Sequence, residues 1–177
     1  MMKMRLRIKS RVTKFFLTVI TLELAIFVWM FCDSRLVYNT TASMPIGLYY
    51  KTSEPVVRKS IILAKPHKSD YILQAIKYGY ISENEVLLKR VMGIPGDKVR
   101  ITQEGIYVND DLIPNTRIFV VDTNKRPLIY KTLDKTKTLM NNEYIIVGDS
   151  EKSFDSRYFG IVTSDEVIST VEPLYVF

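Results

Sequence analysis

The chain is short of the side chains that most often carry chemistry. One cysteine, Cys32, and one histidine, His67, stand among 177 residues. A lone cysteine closes no internal disulfide. One Cys with one His does not make a zinc site of the usual kind, so no metal is expected. A Ser-His-Asp triad would have to use His67 as its base. That residue sits in the polar stretch Lys65-Pro66-His67-Lys68-Ser69-Asp70, which disfavours the reading. Neither G-x-G-x-x-G nor G-x-x-x-x-G-K-[ST] occurs, so the common phosphate cradles are missing and no cofactor is expected. Acids are absent from residues 1–14, which hold Lys3, Arg5, Arg7, Lys9, Arg11 and Lys14. The whole chain has 25 bases against 19 acids; beyond that tail the two signs balance. The net charge of +6 is therefore a local tail, and nucleic acid is not expected as a partner.

What is present points elsewhere. Hydrophobic residues make up 47% of the chain, with eleven Tyr and eight Phe, which excludes a disordered protein. Residues 15–32 read FFLTVITLELAIFVWMFC, with Glu23 the only charge. As a helix this stretch spans about 27 Å, close to the hydrocarbon core of a bilayer. Six bases precede it, so the positive-inside rule places the tail (1–14) in the cytoplasm and residues 33–177 on the far side. The apolar run is longer than a signal-peptide core, and the small residues Thr40-Thr41-Ala42 lie well beyond it, which favours a retained anchor. Met30-Phe31 before Cys32 are too bulky for a lipidation site, so Cys32 reads as an unmodified thiol. Glu23 at mid-membrane is costly, which points to a specific role, to a protonated side chain or to a partner helix.

The remainder reads as mainly β with one short helix. Strands are expected at 49–57, 61–64, 86–92, 99–101, 106–108, 118–121, 144–147 and 174–177. Ser69 or Asp70 caps a helix over 71–78 that Gly79 ends. Pro95-Gly96 and Asn109-Asp110 mark turns, and residues 33–42 and 125–137 read as a polar link and a solvated loop or edge.

Three stretches could carry chemistry. In Glu85-Val86-Leu87-Leu88-Lys89-Arg90-Val91, alternate residues share a face, so either Lys89 or Arg90 looks into apolar surroundings. A buried lysine loses its proton more easily and can act as a base; arginine cannot. The alternative is an edge strand with both heads in water. In Asn39-Thr40-Thr41-Ala42-Ser43-Met44-Pro45-Ile46-Gly47-Leu48-Tyr49, Ser43 precedes a bend set by Pro45 and Gly47 and could be presented as a nucleophile. Gly148-Asp149 and Ser153-Phe154-Asp155-Ser156-Arg157-Tyr158-Phe159-Gly160 follow an apolar strand, with Asp155 and Arg157 spaced to pair. Each stretch alone is ambiguous.

Together and in order, they resemble type I signal peptidases, membrane-anchored Ser/Lys proteases. Thr41-Ala42-Ser43-Met44-Pro45 resembles the family's S-x-S-M-x-P with the proline one place closer. Lys89-Arg90-Val91-Met92-Gly93-Ile94-Pro95-Gly96-Asp97 matches every fixed position of K-R-V-x-G-x-P-G-D. The third stretch matches G-D … S-x-D-S-R-Y-x-G. Within the family, Ser43-Met44-Pro45-Ile46-Gly47-Leu48-Tyr49 is similar to the conjugative-transfer, TraF-type branch, and only about 50 residues separate the lysine segment from Gly148, too few for a large inserted domain.

The resemblance implies a signal-peptidase-like β catalytic domain over 33–177 behind the anchor. It implies Ser43 as nucleophile and Lys89 as general base, with the Ser43 N–H and the Thr41 hydroxyl as oxyanion hole. Ser153 would orient Lys89, and Asp155 with Arg157 would support the site. Partners would be exported precursor proteins cleaved at signal or pro-segments, pilin precursors among them, and the lipid bilayer. The location would be the bacterial cytoplasmic membrane, with the catalytic domain periplasmic. Two alternatives share the architecture: a pilin cyclase or transpeptidase using the same acyl-enzyme, and a non-catalytic anchored assembly factor.

Overall fold

The computed structural model describes the backbone of residues 2–177 and the side chains of residues 13–30 and 35–177. The side chains of Lys3, Arg5, Arg7, Lys9, Arg11, Cys32 and Asp33, on which the topology and lipidation readings drew, lie outside the described residues. The chain divides into two units, Met1–Val37 and Tyr38–Phe177.

The first unit is one helix, α1 (Met2–Arg35). It contains no Gly or Pro, and its tail is rich in Lys, Arg, Met and Leu, which are strong helix formers. The helix therefore runs past both ends of the expected 15–32 segment, and the expected polar link from 33 begins as helix. Its window Thr13–Met30 has mean hydropathy 1.7, with none of it buried within the protein. The Thr18 and Thr21 hydroxyls donate to the carbonyls of Lys14 and Thr18, both at 2.9 Å, so neither is left unsatisfied in an apolar surround. The helix is long and apolar enough to serve as a membrane anchor or signal sequence.

The second unit is mostly β. Its larger sheet has seven strands in the order β1 (Leu36–Asn39), β2 (Gly47–Thr52), β11 (Val167–Val176), β3 (Ile61–Ala64), β4 (Leu87–Gly93), β9 (Glu143–Val147) and β10 (Val162–Thr163). A smaller sheet has the order β7 (Asp111–Leu112), β6 (Gly105–Val108), β5 (Lys98–Thr102) and β8 (Leu133–Thr138). Strand β9 lies between two apolar cores. Ile145 and Val147 join Val99, Ile101 and Ile106 in one; Ile146 joins Ile62, Val91 and Phe159 in the other. Burial on both faces accounts for its unbroken apolar run, where a half-exposed strand would alternate.

Local signals produced the expected elements. Helix α2 (Asp70–Tyr78) starts at Ser69, whose side chain accepts from the Ile72 N–H, and ends at Gly79 with φ +78°. Gly96 has φ +89° in the Pro-Gly turn, and Asn109 and Asp110 take φ of 52° and 71°, which these two residue types tolerate in a tight hairpin.

Other expectations need correction. Residues 118–121 form no strand: Ile118 is buried in the first core, but Val120 and Val121 are exposed, and Val121 makes only an isolated bridge with Pro127. The Asp122 carboxylate accepts from the Asn124 and Arg126 N–H groups and folds the segment into a turn instead. The polar stretch before residue 138 ends in β8, paired with β5. The expected 174–177 strand is the end of β11, a ten-residue strand held between β2 and β3. A one-turn helix, α3 (Ser156–Phe159), and a 3-10 turn (Ser164–Glu166) add to the single expected helix.

Gly47 shows how closely β11 and β2 meet. It has φ +148°, and a Cβ there would overlap the Tyr175 carbonyl oxygen. Gly79 has open space around it. Gly47→Ala is expected to destabilise the β unit by more than about 1 kcal/mol, and by more than Gly79→Ala does. Thermal unfolding of the two variants checks this; equal losses would contradict it.

Candidate active site

The three motif stretches meet at one place. Lys89 lies on β4 opposite Ile62 of β3, and only 3% of its surface is exposed. Its neighbour Arg90 points the other way and forms a two-bond pair with Asp149, Nε to Oδ1 at 3.0 Å and Nη2 to Oδ2 at 2.9 Å. Of the two cations that alternation left open, lysine is the buried one. Its Nζ lies 2.9 Å from Ser43 Oγ.

Burial removes water from the ammonium and pulls the Lys89 pKa down to about 8. The Asp155 carboxylate pushes it upward and the Arg157 guanidinium downward, so these two largely oppose each other. A serine hydroxyl in contact with a lysine that gives up its proton this readily can be activated as a nucleophile.

Ser43 is on the loop between β1 and β2. Its backbone carbonyl accepts from the Asp149 N–H at 2.8 Å, and the Tyr49 hydroxyl donates to the Pro45 carbonyl at 2.6 Å. Thr41 Oγ1 is 3.2 Å from Ser43 Oγ and donates to Asn39 Oδ1 at 3.0 Å. In this state the Thr41 proton belongs to Asn39 and has to turn to serve an oxyanion.

Asp155 and Arg157 are both fully buried and paired two-fold, Nε to Oδ1 at 2.8 Å and Nη2 to Oδ2 at 2.9 Å. Buried charges persist only when their remaining polar atoms are satisfied. Here Asp155 Oδ2 accepts the Gly148 N–H at 2.8 Å, and Arg157 donates to the carbonyls of Glu151 (2.5 Å) and Ser150 (3.3 Å). The pair thus holds the 148–151 turn, which in turn holds Ser43. Gly148 has to be glycine: a Cβ would strike Ser153 Oγ and approach the Ser43 carbonyl to 2.7 Å.

Ser153 is brought into this cluster, but it does not make the bond to Lys89 that an orienting role needs. Its Oγ is buried without a hydrogen-bond partner. His67, the only available triad base, pairs with Asp165 at 2.7 Å on the surface. Asn39 opens the serine stretch but received no role there; it is 7% exposed and bonded throughout the Ser43 loop. An asparagine just before a turn carries no signal that separates this role from an ordinary turn residue.

A family model for "Signal peptidase, peptidase S26" matches residues 9–176. The chain belongs to this family. A plasmid transfer protein TraF from Escherichia coli is 34% identical over 143 residues, covering 77% of this chain and 80% of that protein. A signal peptidase IB from Staphylococcus aureus strain Mu50 is 28% identical over 103 residues, covering 52% of this chain and 54% of that one. A solved signal peptidase I from Enterococcus faecalis V583 is 20% identical and covers 67% of this chain and 98% of its own, with a TM-score of 0.38. The TraF likeness is the stronger and the longer of the two curated ones, in keeping with the short Ser43-to-Tyr49 motif of this S26 peptidase relative.

The lowered pKa also bears on stability. Between about 8 and the ordinary lysine value of 10.5, the unfolded chain binds more protons at Lys89 than the folded one, so stability rises with pH across that window. Below it, the buried ammonium costs on the order of 3 kcal/mol. Lys89→Met is expected to raise the unfolding midpoint at pH 7, with the gain shrinking as pH climbs from 8 to 10.5. Melting curves across that range check it, and a less stable variant at pH 7 would contradict it.

Proposed function

We propose that the protein is a membrane-anchored serine endopeptidase that cleaves signal or pro-segments of exported proteins, with Ser43 as nucleophile and Lys89 as general base. The observation that carries this reading is the 2.9 Å contact between Ser43 Oγ and the buried Lys89 Nζ. Neutral Lys89 takes the Ser43 proton as Oγ attacks the scissile carbonyl. The Ser43 N–H and the turned Thr41 hydroxyl stabilise the oxyanion. Lys89 then passes its proton to the leaving amine, and water, activated by the same lysine, releases the acyl group from Ser43. Asp155 and Arg157 take no part in proton transfer; they hold the 148–151 turn. Ser153, whose buried Oγ beside Gly148 has no partner, is the side chain of this cluster with an acceptor to spare for orienting Lys89.

The basic tail and the apolar helix support an anchor with a cytoplasmic N-terminus and the β unit on the periplasmic side of a bacterial inner membrane. Signal sequences emerge at that surface. The likeness to proteins named for plasmid transfer supports precursors used in conjugation, such as pilins, as substrates.

Ser43→Ala and Lys89→Ala are each expected to abolish processing of pilin-type precursors by the detergent-solubilised protein, read by mass spectrometry. Full processing by both variants would overturn the assignment of Ser43 and Lys89, and no processing by the wild-type protein would favour a non-catalytic assembly role. A product lighter by one water than the cleaved peptide would mean that an amine, not water, takes the acyl group.

In the wild-type protein, kcat/KM is expected to rise tenfold per pH unit up to about 8 and then level off, as Lys89 loses its proton. A profile flat from pH 6 to 9 would exclude Lys89 as the base.

A further inference from the structure

Asn39 ends β1 and is almost wholly buried. Its Nδ2 donates to three backbone carbonyls, those of Thr41 (2.9 Å), Met44 (3.1 Å) and Pro45 (2.9 Å). Its Oδ1 accepts from the Thr41 N–H (3.2 Å) and the Thr41 hydroxyl (3.0 Å). The amide orientation is fixed by its surroundings, because only nitrogen can face three carbonyls and only oxygen can face an N–H. Two N–H bonds serve three acceptors, so one is shared, and both ends of the side chain are fully used.

These bonds bracket Ser43. They grip the backbone at Thr41 on one side and at Met44 and Pro45 on the other. The Asp149 N–H grips the Ser43 carbonyl itself. Donor directions then follow outward from Asn39. Oδ1 only accepts, so Thr41 donates to it; the Thr41 oxygen is left to accept from Ser43 Oγ at 3.2 Å. Ser43 in turn accepts from Lys89 Nζ. The hydroxyls form one ordered row between the lysine and the asparagine, anchored at the asparagine.

We propose that Asn39 is the positioning residue of the Ser43 loop, acting through its amide to deliver Ser43 Oγ to Lys89. The proposal rests on the Ser/Lys reading above and adds a residue to which the motif comparison assigns no role. Its chemistry is demanding. Alanine leaves three carbonyls and two donors without a partner, and aspartate turns a donor into an oxygen facing three carbonyl oxygens. Neither keeps the loop in place. A displacement of about 1 Å at a reacting atom is enough to cost roughly 100-fold in rate.

The test uses p-nitrophenyl acetate, a small activated ester whose reaction reports the nucleophile rather than a peptide-binding groove. Full-length protein in detergent is treated with the ester, and acyl-Ser43 formation is timed by intact and peptide mass. Asn39→Ala and Asn39→Asp are each expected to slow acylation by about 10- to 100-fold. The loss should persist at 10 °C, with circular dichroism showing the variants folded. In a Lys89→Ala background, adding Asn39→Ala should change the residual rate less than twofold, because Asn39 acts through the Ser43–Lys89 contact. A residue that merely stabilises the fold would cost rate in both backgrounds, and that result would overturn the proposal. So would acylation of the single variants within twofold of wild type. If Ser43 of the wild-type protein takes no acyl group while the protein still cleaves precursors, the Ser/Lys reading itself falls, and this proposal with it.

Discussion

The buried pair of Asp155 and Arg157 is the contact on which the rest of the site depends. Two opposite charges with no exposed surface are costly to bring together unless every lone pair and N–H is engaged. The protein engages them with the backbone of one turn, at Gly148, Ser150 and Glu151. That turn then has a fixed shape, and its Asp149 N–H reaches the Ser43 carbonyl. The same pair sets the electrostatic background of Lys89. Its two charges push the lysine in opposite directions, which leaves burial to decide how firmly the proton is held. A neutral apolar filling of the same space would satisfy the core but would leave the turn without its clamp.

The lysine segment shows a second use of a buried carboxylate. Asp97 closes the Pro-Gly turn by accepting from the Ile94 N–H at 2.7 Å, from the Asn109 side chain at 2.8 Å and from both bonds of Arg58 at 2.6 and 2.8 Å. One acid thus ties the end of β4, the β6–β7 turn and the loop before β3. Within that segment Lys89 faces Ser43, while Gly93, Gly96 and Asp97 shape the backbone. Leu139 and Ile145 press against Gly93 so closely that a Cβ would meet them at 3.0 to 3.1 Å.

Elements whose signals are local could be read before the fold was known. Ser69 and Gly79 marked both ends of α2, and Ile61–Ala64 is strand β3 without change. Long-range elements could not. Residues 118–121 look like a strand, but Asp122 captures the following amides and the segment pairs only through the isolated Val121–Pro127 bridge. Alternation alone treats Lys89 and Arg90 alike; what separates them is Asp149, fifty-nine residues away in the chain from Arg90. The motif residues of the site were legible because three short stretches occur together in order. Asn39 was not, because its work is done by an amide against backbone carbonyls, and backbone partners leave no trace in composition or spacing.

The placement of β11 has a consequence for how the protein comes into being. The strand last in chain order lies inside the larger sheet, with β2 on one side and β3 on the other. While the ribosome is still making residues 167–176, β2 and β3 have nothing between them, and the sheet cannot close. Helix α1 is complete more than 130 residues earlier. A chain built in this order has its apolar helix formed while the sheet between β2 and β3 is still open. The sheet that brings Ser43 beside Lys89 is therefore completed only once that strand has been delivered.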